Sequence, residues 1–149
     1  MNKFLISAAF ILMLSGCAAN AQIADGVPVQ VRDTSLGKVL VSEDGMTLYT
    51  FGRDEPGKTN CYDQCAVNWP PYMASGSSQA AGDFSLVGRD DGGQQWAYKG
   101  EPLYLWIADQ QPGDVSGHNV GDVWFVVPME ASRSGGSTGS SGGSGYGGY

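Results

Sequence analysis

Two six-residue stretches, Tyr49-Thr50-Phe51-Gly52-Arg53-Asp54 and Tyr104-Leu105-Trp106-Ile107-Ala108-Asp109, set the architecture of this chain. Both follow the pattern Tyr-x-aromatic-x-x-Asp, and the second begins 55 positions after the first. Residues two positions apart in a β-strand point to the same face, so each stretch predicts a strand with an aromatic pair on one side. Each Asp follows at the strand end, where its side chain commonly accepts hydrogen bonds from the backbone N–H groups of a turn.

The offset of 55 extends beyond these stretches on both sides. The further matches are Gly37 with Gly92, Gly45 with Gly100, Leu48 with Leu103, Trp69 with Trp124 and, after one inserted residue, Pro56-Gly57 with Pro112-Gly113. Self-similarity at a fixed period indicates a duplicated unit, and two copies are too few for a solenoid. The sequence therefore predicts one folded domain over residues 27–133, in which repeat one (27–73) and repeat two (82–129) are related by pseudo-symmetry.

The local patterns within each repeat predict short strands joined by tight turns. The Asp44-Gly45 and Asp91-Gly92-Gly93 turns lie between alternating or β-branched runs, which is a strong hairpin signal. A helical turn is expected over 61–68, where Trp69-Pro70-Pro71 ends it. The fold class is therefore mainly β: a small antiparallel sandwich or barrel-like domain of two meander repeats, with a short helical turn near the CxxxC sequence. The predicted strands are 27–32, 38–42, 46–51, 84–87, 94–98, 102–107 and 123–127.

The N-terminus has the features of an export signal. A positive start is followed by Phe4 to Leu14, eleven apolar or small residues, which is too short to span a bilayer but fits a secretory signal. The run ends in Leu14-Ser15-Gly16-Cys17, which resembles a bacterial lipobox. The resemblance implies that residues 1–16 are removed and that Cys17 carries lipid (palmitate-type acyl chains), with an ordinary signal peptide as the alternative. Ala18 after the cysteine favours the outer membrane, facing the periplasm, if the host is Gram-negative.

Two segments outside the repeats contain little that could form a core. Residues 17–26 are predicted to be a lipidated tether. Residues 134–149 are Gly, Ser, Tyr and Thr only, and such a composition predicts a disordered tail because it cannot bury enough apolar surface.

The remaining two cysteines, Cys61 and Cys65, would fold in an oxidising compartment, where a disulfide between them is expected. The alternative is a redox-active dithiol, although CxxxC is not the thioredoxin spacing.

Net charge and motif content exclude several classes of function. The formal net charge is −7 with no basic cluster, which argues against nucleic-acid binding. The sequence contains no HExxH, G-x-S-x-G, Walker or Rossmann motif, so no enzyme and no cofactor is predicted.

The repeated motif and the lipobox together resemble a family of bacterial predicted lipoproteins with a YX(F/W/Y)XXD motif, also described as a secreted repeat of unknown function. The resemblance covers about residues 37–127 and includes Cys61-x-x-x-Cys65-Ala66 and Gly121-Asp122-Val123-Trp124. It implies family membership and a cell-envelope location, and it implies no particular reaction.

The repeated residues allow two interpretations. Tyr49, Phe51, Tyr104 and Trp106 either pack in the core or line an exposed aromatic cleft for a glycan, a lipid or a quinone-like ring. Asp54 and Asp109 either stabilise turns or form a glycosidase-like carboxylate pair across the pseudo-two-fold axis.

A cation site is a further candidate. Asp109, Asp114 and Asp122 surround a glycine-containing loop with His118, and oxygen-rich loops can hold Ca²⁺, although the EF-hand spacing is missing. Copper or zinc bound through His118 and methionines is a weaker possibility.

The functional prediction is a membrane-anchored cell-envelope lipoprotein with a non-catalytic binding or scaffolding domain. Its partners would be the membrane, through Cys17, and an envelope protein, a glycan or a small ligand. The alternative is a carrier of a small ligand or of Ca²⁺ that uses the aromatic cleft or the Asp109–Asp122 loop.

Overall fold

A computed structural model describes residues 23–129, and seven short strands dominate this part of the chain. Lipid attachment at Cys17, residues 1–16, most of the tether and the tail 134–149 lie outside the described residues. The strands are β1 Val29–Thr34, β2 Gly37–Ser42, β3 Tyr49–Phe51, β4 Phe84–Gly88, β5 Gln94–Tyr98, β6 Glu101–Pro102 and β7 Trp124–Val126, with one α-helix, α1 Gln64–Asn68, and a 3-10 turn at Val120–Asp122. In this part of the chain, no helix is long and apolar enough to cross a membrane.

Each repeat begins with a β-hairpin. β1 pairs antiparallel with β2, and β4 pairs antiparallel with β5 in the equivalent register. Val31 lies opposite Leu40 in the first hairpin and Leu86 lies opposite Trp96 in the second, so the structural offset is 55 on the first strand and 56 on the second. The β4–β5 turn therefore has one extra residue, and Gly37 corresponds to Gly93 rather than to Gly92.

The end of each repeat crosses over to the hairpin of the other repeat. The Leu40 N–H donates to the carbonyl of Val127 at 2.9 Å, and the Val127 N–H donates to the carbonyl of Leu48 at 3.4 Å. In the other half, the Trp96 N–H donates to Tyr72 at 2.9 Å and the Tyr72 N–H donates to Leu103 at 2.8 Å. Each repeat thus completes the sheet of its partner, and neither half has a full set of strands alone.

The two repeats meet at Tyr49 and Tyr104. The backbone N–H of each tyrosine donates to the carbonyl of the other, both at 2.9 Å, which is an antiparallel bridge between equivalent residues. β3 also pairs antiparallel with β7, which belongs to repeat two. The pseudo-two-fold axis therefore passes between the two motif tyrosines.

Two apolar clusters form the core, and both draw on the two repeats. One contains the fully buried Leu40, Leu48, Trp96 and Leu103. The other is aromatic and includes Tyr49, Trp69, Tyr104 and Trp124. Burying one large apolar side chain stabilises a fold by about 1.5–3 kcal/mol, so interlocking the repeats is strongly favourable.

The predicted fold class is confirmed: the domain is mainly β, antiparallel and built from two similar halves, with one short helix beside Cys61 and Cys65. The sheets have two, two and three strands, and no closed barrel forms among residues 23–129. The motif strands are shorter than predicted, because β3 begins at Tyr49 and β6 ends at Pro102. The residues next to these two strands make backbone hydrogen bonds to several different segments of the chain, so neither strand continues as one regular ladder.

Candidate functional site

The motif tyrosines and aspartates are paired between the repeats, not within them. The Tyr49 hydroxyl donates to Asp109 Oδ2 at 2.6 Å, and the Tyr104 hydroxyl donates to Asp54 Oδ2 at 2.6 Å. We call these two contacts the tyrosine–aspartate clasps. Because the strands cross antiparallel at the two tyrosines, each phenol reaches the far end of the other motif.

The second oxygen of each carboxylate fixes the loop that follows. The Asn60 N–H donates to Asp54 Oδ1 at 2.7 Å, and the Ser116 N–H donates to Asp109 Oδ1 at 3.1 Å. The Ser116 hydroxyl adds a further bond to the same oxygen at 2.6 Å. Both aspartates therefore bind backbone N–H groups, as expected of turn residues, but these groups lie six and seven residues downstream.

Burial governs the titration of these groups. Burial and the bond to Asp109 raise the pKa of Tyr49 far above its ordinary value, and burial and the bond to Asp54 do the same for the pKa of Tyr104. Burial also raises the pKa of Asp54, although the bonds from Tyr104 and Asn60 and the charge of Arg89 act in the opposite direction. Both phenols therefore keep their protons at neutral pH and act as hydrogen-bond donors.

Beside the clasps lies a continuous stack of four aromatic rings, Phe51–Trp124–Trp69–Trp106. The ring centroids are 4.2, 3.9 and 4.0 Å apart, and the interplanar angles are 15°, 5° and 25°. The inner rings, Trp69 and Trp124, are buried, whereas the outer rings, Phe51 and Trp106, are half-buried. We call this arrangement the aromatic stack.

The stack is symmetric about the same axis as the clasps. Tyr49 contacts Trp69 edge-on at 5.4 Å, and Tyr104 contacts Trp124 edge-on at 5.2 Å. Such contacts add about 0.5–1.5 kcal/mol beyond area burial. The repeated aromatic residues thus fill the space between the repeats. Their rings are in direct contact with one another, whereas rings that line an open cleft would be separated by solvent or ligand.

Cys61 and Cys65 form the expected disulfide, with their Cα atoms 5.2 Å apart. The bond closes the loop that leads into α1, and Cys61 is fully buried in the aromatic cluster. The equivalent position in repeat two is Gly117, where a Cβ atom would lie 2.8 Å from Trp69 and 2.9 Å from Tyr49. A cysteine is accommodated in one repeat, and only glycine fits without displacement in the other.

The family model for a secreted repeat of unknown function matches the chain twice, over residues 30–73 and 85–128. The chain belongs to this family. Each matched secreted repeat contains one Tyr-x-aromatic-x-x-Asp motif and the segment that crosses to the other hairpin. No curated protein and no solved structure matches the chain.

A buried arginine, which the sequence did not point to, supports the clasp between Asp54 and Tyr104, which we call the first clasp; the clasp between Asp109 and Tyr49 is the second. The Arg89 side chain is 1% exposed and donates to Gln95 Oε1 at 2.8 Å, to the Cys61 carbonyl at 3.0 Å and to Thr59 Oγ1 at 3.4 Å. Thr59 Oγ1 in turn lies 2.5 Å from the Tyr104 hydroxyl. The Arg89-Asp90-Asp91 sequence is typical of an exposed turn, and no pattern separated this arginine from a solvated one.

The candidate cation loop of the second secreted repeat has most of its acidic and histidine side chains in separate hydrogen bonds. Asp109 is used by the clasp and by Ser116, and Asp114 Oδ2 accepts the N–H groups of Gln110 and Gln111 at 2.9 and 3.0 Å. His118 Nδ1 accepts the Val126 N–H at 3.3 Å, and Asp122 lies in an exposed turn. Within residues 23–129, no group of three or more His, Cys, Asp or Glu side chains is placed to hold a metal ion. The side chains of this loop that were expected to bind calcium, copper or zinc are thus engaged in separate hydrogen bonds or exposed, and the metal hypotheses stay predictions.

Proposed function

We propose that this protein is a lipid-anchored, non-catalytic domain of the cell envelope that binds or scaffolds another envelope protein. The anchor would be acylated Cys17, and the two secreted repeats would form the rigid body that carries the binding surface.

The observation that carries this proposal is the reciprocal pairing of the clasps. Both motif carboxylates accept a phenolic hydroxyl on one oxygen and a backbone N–H on the other. A glycosidase needs one carboxyl group free to give a proton to its substrate and a second free to act as base or nucleophile. Carboxylates engaged on both oxygens serve the structure, which favours a role through surface contacts over a hydrolytic one.

An apolar patch at one end of the aromatic stack supports a binding role. Ile107 is 60% exposed and Val67 is 57% exposed. The Ile107 N–H donates to the Asn68 carbonyl at 3.2 Å, so the chain at Val67 and Asn68 lies beside the chain at Ile107 and the half-buried Trp106. Apolar side chains grouped on a rigid surface are typical of protein interaction sites. We call Val67, Trp106 and Ile107 the end patch.

In-cell photocrosslinking tests the binding role. A photoreactive residue at Val67 is expected to give a discrete protein adduct that Ile107→Glu abolishes. Leu36→Glu is the matched control, because Leu36 is also exposed (47%) but lies in the β1–β2 turn outside the patch. An adduct that survives Ile107→Glu, or no adduct at all, would contradict binding through this surface.

Membrane fractionation tests the anchor separately. Cys17→Ser is expected to move the protein from the membrane fraction to the soluble periplasmic fraction with its melting temperature unchanged. Retention in the membrane fraction would contradict lipid anchoring and would leave the crosslinking result unaffected.

A further inference from the structure

The aromatic stack joins the protein surface to the clasps. Trp106, Trp69 and Trp124 are in continuous face-to-face contact, with centroids 4.0 and 3.9 Å apart. Trp106 is half-buried and reaches solvent at one end, whereas Phe51 covers the other end. Indole and phenol rings give up a single electron far more readily than a benzene ring does. The stack therefore presents a readily oxidised ring to solvent at the Trp106 end and a benzene ring at the Phe51 end.

Each tyrosine next to the stack has a proton acceptor in place. A phenol that loses an electron becomes strongly acidic and is oxidised easily only if its proton can leave at the same time. The Asp109 and Asp54 carboxylates lie 2.6 Å from the hydroxyls of Tyr49 and Tyr104. Burial keeps the pKa of both phenols high, so the proton is present at neutral pH to be transferred.

We propose that the aromatic stack is a one-electron relay, through which Tyr49 supplies electrons to an outer-sphere oxidant that meets the domain at Trp106. The oxidants it would take are oxidised metal complexes of the envelope, which accept a single electron without forming or breaking a bond. The domain would then quench such species in addition to its role as a scaffold.

The relay balances in electrons and protons. The oxidant takes one electron from Trp106, Trp69 returns an electron to Trp106, and Tyr49 returns an electron to Trp69. The phenolic proton of Tyr49 moves along the hydrogen bond to Asp109 Oδ2. The products are the reduced oxidant, a neutral tyrosyl radical and a carboxylic acid, and no atom leaves the protein.

Tyr49 is the favoured donor of the two tyrosines. It contacts Trp69, which is one ring from Trp106, whereas Tyr104 contacts Trp124, which is two rings away. The disulfide holds Cys61 and Cys65 oxidised, so neither is a thiol that would donate first.

The experiment is laser oxidation of the full chain with photogenerated tris(bipyridine)ruthenium(III), followed by transient absorption and electron paramagnetic resonance. In the wild-type protein, an indolyl radical signal should convert into a tyrosyl signal, and the conversion should slow in deuterated water. Ascorbate should then return the protein to its starting spectrum.

Two variants locate the route. Trp69→Phe keeps an aromatic ring in the stack but removes the oxidisable link, so the indolyl signal should persist and the tyrosyl signal should be lost. Trp96→Phe is the matched control, because Trp96 is fully buried but outside the stack, and it should leave the conversion intact. Tyr49→Phe should remove most of the tyrosyl signal, whereas Tyr98→Phe should not.

The proposal is overturned if the wild type gives no tyrosyl radical. It is also overturned if Trp69→Phe forms the tyrosyl radical as fast as the wild type, or if deuterated water leaves the conversion rate unchanged. The deuterium measurement uses the unaltered protein, so the test stands even if a variant folds poorly.

Discussion

The two clasps share one geometry, a tyrosine of one repeat bonded to the aspartate of the other, but they differ in the residues around them. The Asp54–Tyr104 clasp is bounded by Thr59, by the buried Arg89 and by the disulfide loop. The Asp109–Tyr49 clasp is bounded by Ser116 and by the Gly117 N–H, which donates to the Tyr49 hydroxyl at 3.2 Å. The shared geometry therefore belongs to the motif. The residues around it differ: a buried arginine and a disulfide loop lie near one clasp, and a serine and a glycine lie near the other.

The difference continues into the hairpins. Gln95 in β5 is fully buried and bonds to Arg89 and to the Leu103 carbonyl, whereas its counterpart in β2 is Val39, which is also fully buried. A buried amide that makes hydrogen bonds through both its oxygen and its nitrogen specifies geometry, whereas a buried valine contributes only apolar contact. The first clasp is thus part of a polar network that extends into the repeat-two hairpin, whereas the second clasp is supported by Ser116 and Gly117 in its own loop.

The largest effect should come from the inner rings, where the two repeats are alike. Trp69→Ala and Trp124→Ala should each lower the free energy of unfolding by about 3–5 kcal/mol, since each leaves a large cavity in a buried aromatic cluster. Urea denaturation measures the loss, and Phe51→Ala at the half-buried end of the stack provides the milder comparison. A larger loss for Phe51→Ala than for the tryptophans would contradict this description of the core.

The clasps can be broken one at a time. Tyr49→Phe should lower the free energy of unfolding by about 1–3 kcal/mol, because Asp109 Oδ2 loses its hydrogen-bond donor. Tyr104→Phe should cost less, since Asp54 is more exposed than Asp109, which is 8% exposed.

A double-mutant cycle shows which residues form the clasp. Tyr49→Phe with Asp109→Asn should give a coupling energy of about 0.5–3 kcal/mol, whereas Tyr49→Phe with Asp54→Asn, in the same motif, should be additive to within about 0.5 kcal/mol. The reverse pattern would mean that each tyrosine pairs within its own repeat.

The requirement for glycine at position 117, where repeat one has Cys61, can be tested by substitution. Gly117→Ala should cost about 1–3 kcal/mol, because the new methyl group would lie too close to Trp69 and Tyr49. Gly88→Ala is the matched control, since nothing lies within 4 Å of the added Cβ there. Equal melting temperatures for the two variants would show that a methyl group fits beside Trp69 and Tyr49 and would contradict the close approach at Gly117.

The disulfide should contribute less than the rings. A loop closed over a sequence separation of four restricts the unfolded chain only slightly, so Cys61→Ala with Cys65→Ala should cost about 2 kcal/mol at most. Chemical denaturation of the double variant and of the reduced wild type should agree. Complete unfolding of both would instead show that the loop is required to organise the first clasp.

The smallest effect concerns the acidity of Asp54 in its clasp with Tyr104. Burial raises the pKa of Asp54 in the folded protein, so its proton uptake favours folding. Its contribution to stability is present at low pH and is lost as the pH rises through that raised pKa. The stability of the wild type relative to Asp54→Asn should therefore increase as the solution is acidified from neutral pH, as followed by melting temperature. A decrease would mean that the folded-state pKa is lowered.

Much of the fold could be predicted because local signals agreed with the duplicated pattern. Glycine turns, alternating strands and the Trp69-Pro70-Pro71 stop all act within a few residues, and the short helix Gln64–Asn68 lies inside the predicted 61–68 segment. The disulfide followed from an export signal and two cysteines. The exchange of partners between the repeats did not, because it depends on how two distant strands cross at Tyr49 and Tyr104.

The candidate site shows the same division between local and distant information. That the aspartates bind turn N–H groups was predictable from residue type, but their phenolic partners lie 50 and 60 positions away in sequence. The hydrogen bonds that Asp109 and Asp114 make could not be predicted either, because closeness in sequence does not show which backbone groups each carboxylate accepts. Arg89 was missed because a buried cation has no sequence signature apart from its partners.

The crossing of strands between repeats also dictates when the chain can fold. The β1–β2 hairpin lacks the partner of Leu40 until Val127 reaches it, and the pairing of Tyr49 with Val126 spans most of the domain. Long-range pairings of this kind make folding slow, because distant segments must meet before either is stabilised. A chain that emerges N-terminus first therefore cannot complete these pairings until residues 126–127 have emerged, so the domain forms only when nearly all of its sequence is present.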